Sequence, residues 1–135
     1  MSDRNLVFNN LCASVSESLD SFKRTLIKFQ ENTNYKRYVG EEAMQKGNMC
    51  LIELVLDHAI YKNKEDIVIY ILDMKTLFDG TVEIEIHPDI LTVYVDNAKT
   101  DIIRNILQTR LNECRASGQY NEYFEFIDEN HITNT

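Results

Sequence analysis

The chain is poor in several residue types. It has one proline and four glycines in 135 residues. Long irregular linkers use more of both, so a single folded domain is expected over residues 1–128, with residues 129–135 as a flexible tail. Four glycines cannot furnish a phosphate-cradling loop and the ordinary turns as well, and neither GxxxxGKS nor GxGxxG occurs. Cys12, Cys50 and Cys114 are odd in number, far apart and set among apolar neighbours, with no CxxC pair. They read as reduced core thiols of a cytoplasmic-type compartment rather than as a disulfide framework or a zinc site. HExxH, GxSxG and calcium-loop patterns are also missing. No apolar run approaches the roughly 20 residues that span a membrane, and MSDRNLVFNN lacks a basic-then-apolar leader pattern. No motif that carries chemistry remains, and no cofactor is expected.

What is present is ordinary in amount and uneven in placement. The 44% hydrophobic and 27% charged content suits a globular domain large enough to bury a core without staples. Asn, Ile, Lys and Tyr are frequent, as AT-rich codons make them, which suggests a viral or phage accessory protein at work in a host cytoplasm. The net charge of −8 sits towards the C-terminal end. Residues 79–101 carry six acids against Lys99, and residues 117–135 carry four acids and no base. Between them, residues 102–116 hold three arginines against Glu113. Such acidity repels phosphate backbones and attracts basic protein surfaces, so no direct nucleic-acid binding is expected.

Residues 48–61, NMCLIELVLDHAIY, are apolar nearly all round a helix. A helix of that kind belongs inside a bundle. Its exceptions, Glu53, Asp57 and Tyr61, fall at i, i+4 and i+8 with His58 beside them, making a thin polar seam. Before it, Phe8, Cys12, Val15, Leu19, Phe22, Leu26 and Phe29 alternate steps of 4 and 3. That spacing predicts one long helix to about Glu31, packing in its own bundle or pairing with a second copy as a homodimer. A connector follows, with an aromatic–basic run at Tyr35, Lys36, Arg37 and Tyr38 that reads as a solvated link.

Asn63 is expected to cap a helix with Glu65 and Asp66 in its first turn and Ile67, Ile71, Met74 and Phe78 on one face. The β-branched run at 67–72 leaves a buried strand as the alternative. Gly80 can supply the left-handed stop. The period then changes. Val82, Ile84 and Ile86 alternate with Glu83, Glu85 and His87, and Leu91, Val93 and Val95 alternate with Thr92 and Tyr94. With Pro88 and Asp89 between, this predicts an antiparallel β-hairpin. Asp96 or Asn97 is expected to cap a further helix with Ile102, Ile103, Ile106, Leu107, Leu111 and Cys114 inward, ended by Ser117 and Gly118. The expected fold is α+β and predominantly helical, a bundle of about four to five helices with one antiparallel hairpin packed on it.

Three sets of residues are candidates for function. The hairpin presents Glu83, Glu85, His87, Asp89 and Tyr94; its edges invite a partner strand or a second copy. Glu83, Glu85 and His87 also have alternate-residue spacing that brings ligands together, but the solvated face of a ribbon explains them without a metal. The tail segment 120–128, YNEYFEFID, interleaves Tyr123, Phe124 and Phe126 with Glu125 and its neighbours; aromatic anchors beside acids suit a basic partner. This segment resembles the hydrophobic-acidic tails by which some phage transcription factors hold a sliding clamp, over these nine residues alone. The third set is the seam, Glu53, Asp57 and His58, where paired carboxylates on an apolar helix suit either a small-ligand or enzymatic site, or simple pairing with lysines. The reading that accounts for most of these features is a non-enzymatic regulatory factor or inhibitor that binds a host protein through acidic surfaces. Its rivals are a nucleic-acid mimic, a structural assembly subunit, and a ligand-binding or enzymatic domain.

Overall fold

The computed structural model describes residues 3–31, 51–77, 80, 82–84 and 86–133. The expectations for the connector, for Cys50 and for Glu85 lie outside the described residues. The fold is predominantly helical. In chain order come α1 (Asp3–Glu17), α2 (Leu19–Gln30), α3 (Leu51–Tyr61), α4 (Glu65–Asp73), β1 (Thr76–Leu77), β2 (Val82–Glu83), α5 (Pro88–Asn97), α6 (Asp101–Ser117) and α7 (Asn121–Thr133).

The apolar helix α3 is at the centre. Ile52, Val55, Leu56 and Ala59 are fully buried, and Ile60 nearly so. It packs against α1 and α4, while α4 also meets α2 and α6. Tyr94 of α5 donates its hydroxyl to the Glu53 backbone carbonyl, 3.0 Å away. Shortening Leu56 to alanine in such surroundings costs about 2–5 kcal/mol, from lost transfer energy and the cavity left behind.

The long first helix is two. Ser18 is extended (φ −169°, ψ 166°), and its hydroxyl accepts the Ser21 N–H at 3.0 Å, capping α2. Ser14 donates to the Leu11 carbonyl at 2.6 Å and Ser21 to Glu17 at 2.7 Å. Serines offer the backbone such local partners in place of continued helix, so Ser14 and Ser18 favour a corner. The 3.5-residue stripe survives the corner. Val15, Phe22, Leu26 and Phe29 are buried in the chain's own core, with Phe8 and Leu19 packed on it.

Asn63 ends α3 instead of opening α4. It takes the left-handed conformation (φ 56°), its N–H reaches the Ile60 carbonyl, and the Lys64 N–H reaches that of Ala59, both at 3.0 Å. This is a Schellman closure with asparagine in the position glycine more often takes. Residues 65–73 are helix, as expected over the strand alternative, with Ile67, Val68, Ile71 and Leu72 buried. The helix stops at Asp73 rather than Phe78. Gly80, at φ 86°, lies in the turn between β1 and β2.

The largest correction falls on the second hairpin arm, which is helix α5. Pro88 occupies the first helical turn, where its missing N–H is no loss, and the His87 ring caps the turn by accepting the Asp89 N–H. A strand would have buried Leu91, Val93 and Val95 together. The helix instead buries Pro88, Leu91, Tyr94 and Ala98, and Val93 is half exposed. The first arm pairs backwards, with Thr76 opposite Glu83 and Leu77 opposite Val82. Helix α6 is capped by Thr100, not Asp96 or Asn97; its hydroxyl accepts the Ile103 N–H at 3.2 Å. Gly118, at φ 76°, stops α6 where expected. Helix α7 runs to Thr133, past the residue 128 boundary drawn from sequence.

Candidate interaction surface and seam cavity

The start of α5 and the helix α7 meet through one histidine. The His87 ring lies 5.0 Å from that of Tyr120 and 5.2 Å from that of Tyr123, edge-on to both. Tyr123 in turn lies edge-on to Phe124 at 5.1 Å. Such tilted pairs are favoured by the aromatic quadrupole. Phe124 is buried beneath the Arg115 guanidinium, 4.3 Å from its ring, and Arg115 also pairs with Asp128 at 3.0 Å. Arg115 therefore holds α7 to α6 by stacking and by charge together. Arg110 pairs with Asp73 and ties α6 to α4 by charge.

These contacts bring the two acidic segments to one place. Glu83 and Asp89 on one side, and Glu122, Glu125 and Glu129 on the other, are exposed. Phe126 stands 64% exposed among the α7 acids, and Ile127 is 38% exposed beside it. Of the expected partner residues, Glu83, His87, Asp89, Glu125 and Phe126 are on the surface, with Tyr123 half-buried at its seam. Two expectations are corrected. Tyr94 is a core residue because α5 is a helix and its ring points at α3, and Phe124 is the buried anchor of α7 rather than an exposed one. Glu85 lies outside the described residues. Tyr120 and Ile127, within the expected segment 120–128 but not singled out there, also belong to this region. A histidine just ahead of Pro88 was the available signal, since His-Pro-Asp reads as a helix start once the strand is set aside.

The central-helix seam is divided. Glu53 is buried, at 4% exposure, with Tyr94 bonded to its backbone. Asp57 is exposed and His58 half-buried. Those two line a cavity of about 280 Å³ with Leu54, Tyr61, Tyr94, Asn97 and Lys99. The Lys99 ammonium sits 3.8 Å over the Tyr61 ring. Burial, and then the Lys62 charge, lower the His58 pKa from its ordinary 6.5, while Asp57 pulls it back up. The imidazole is thus kept neutral, able to donate from one nitrogen and accept at the other. Phe8, Asn97 and Lys99 come from distant parts of the chain, which is why no local spacing announced this cavity.

Cys12 and Cys114 are half-buried rather than fully buried. Burial pushes the Cys12 thiol up to about 11, so it is protonated and unreactive near neutrality. Among the described residues no group of three His, Cys, Asp or Glu side chains is placed to hold a metal ion, and no helix is long and apolar enough to cross a membrane. Comparison with protein-family models, curated proteins and solved structures finds no match.

Proposed function

We propose that this chain is a non-enzymatic interaction factor that binds a basic surface of another protein through the joint of α5 and α7. The carrying observation is the His87 ring seated against Tyr120 and Tyr123, which joins the acidic segment before α5 to the helix that carries the exposed Phe126 and its neighbouring acids. An aromatic anchor ringed by acids supplies what such binding needs: an apolar group to desolvate at the centre and charges to steer and align the approach. The uneven charge supports the same reading, because the acids of residues 117–135 have no base among them. Affinity capture from the native host tests it. The wild-type chain is compared with Phe126→Ser combined with Glu122→Ser and Glu125→Ser, and with Ile69→Ser, an exposed apolar change on α4. Partners should disappear with the α7 variant and stay with Ile69→Ser. Identical partners from all three chains would remove α7 from the reading.

The cavity beside Asp57 and His58 favours a second reading, a small-ligand site. Its apolar floor and its rim of both charges suit a small molecule with an apolar body and a polar head. A thermal-shift screen of amino acids, organic acids and nucleosides tests it. A compound that raises the melting temperature of the wild type but not of Asp57→Asn would support the site, and a flat screen would remove it.

A further inference from the structure

We propose that His87 is a proton-operated latch on the α5–α7 surface, an inference that takes that surface to be the working one. The Asp89 N–H donates to Nδ1 of His87 at 3.0 Å, so this nitrogen must carry a lone pair and the proton of the neutral ring must be on Nε2. Adding a proton places a hydrogen on Nδ1. The acceptor is then gone, and two N–H groups face each other at the first turn of α5. The new positive charge also lies at a helix N-terminus, where the macrodipole disfavours it. Once the ring is charged, the first turn of α5 has lost its cap.

Among the described residues, the surroundings do not cancel this. On its own segment Asp89 gives its backbone N–H to the His87 ring, and Glu83 of β2 precedes the ring by four residues. From α7 come the Tyr120 and Tyr123 rings, with Glu122 next to Tyr123. From α6 comes Arg115, held over Phe124, which touches Tyr123. Asp89, Glu83 and Glu122 are exposed, so water and salt weaken their pull on an imidazolium. The tyrosine rings accept a charged or a neutral imidazole, so they hold the ring in either state without restoring the lost acceptor. Protonation therefore uncaps α5 and sets a cation inside a patch that otherwise presents acids. A basic partner meets a weaker surface once the ring is charged.

The test uses the full chain and a variant, His87→Asn, whose amide oxygen can still accept the Asp89 N–H but takes up no proton in this range. Amide and ring resonances are followed by NMR from pH 8 to pH 5. In the wild type the Asp89 amide should move as its hydrogen bond is lost, with the same midpoint as the His87 ring. In His87→Asn it should stay still. An Asp89 amide that stays fixed while His87 titrates, or that moves equally in the variant, overturns the latch. Should His87→Asn fail to fold, His87→Ser, which caps through its hydroxyl, takes its place. These readouts need no partner, so they stand or fall apart from the binding reading. Where capture from the host succeeds, it should drop several-fold across the midpoint measured for the His87 ring in the wild type and stay level in His87→Asn. An equal drop in both would overturn the latch as a control on binding.

Discussion

At the scale of single residues, His58 ties stability to pH. Its pKa is below the ordinary 6.5 because burial and Lys62 disfavour the charged ring, with Asp57 opposing. The unfolded chain thus takes up this proton at higher pH than the folded one. The contribution is whole above about 6.5 and is lost as pH falls through the folded value. Urea midpoints should therefore fall more steeply from pH 7.5 to pH 5 in the wild type than in His58→Gln. Parallel slopes would contradict the burial of this ring. Tyr94 shows how far a single residue could be read in advance. Its aromatic ring and its place among β-branched neighbours suited the outer face of a strand. Only the 41-residue separation to Glu53, which no local pattern encodes, reveals it as a core residue.

At the scale of elements, caps decide where helices begin. Ser18 and Thr100 each place a hydroxyl on an orphan N–H, whereas Lys64 precedes α4 with no side-chain cap bond. Ser18→Ala and Thr100→Ala should each lower unfolding stability by about 1 kcal/mol. Lys64→Ala should stay within about 0.5 kcal/mol, as surface changes usually do. Urea denaturation of the three variants checks the contrast. Periodicity made α3, α4 and α6 legible, because each repeats its apolar residues over two turns or more. It failed at residues 90–96, where Leu91, Val93 and Val95 mimic a strand while Leu91, Tyr94 and Ala98 keep the helical interval. A window of seven residues satisfies both periods, and the tie is broken by Pro88 with its histidine cap. The candidate surface was legible by halves. Each acidic segment was visible, but the ring contact that joins them spans more than thirty positions.

At the scale of the whole molecule, charge and shape act together. A chain of net charge −8 that gathers exposed acids around Phe126 should approach a basic partner by long-range attraction. Raising salt from about 0.1 M to 1 M shortens the screening length from about 10 Å to about 3 Å. Partner capture should weaken markedly over that range, and salt-independent capture would assign the binding to apolar contact alone. The corner at Ser18 bears on the molecule's history of change. One extended residue joins α1 to α2, so the rotational phase of the second helix is inherited from the length of the first. Each residue added or removed there swings every α2 side chain by about 100° around its axis. Phe22 and Leu26 would then turn away from α4, where Phe22 meets the Tyr70 ring, and so this junction accepts spelling changes but no insertions or deletions.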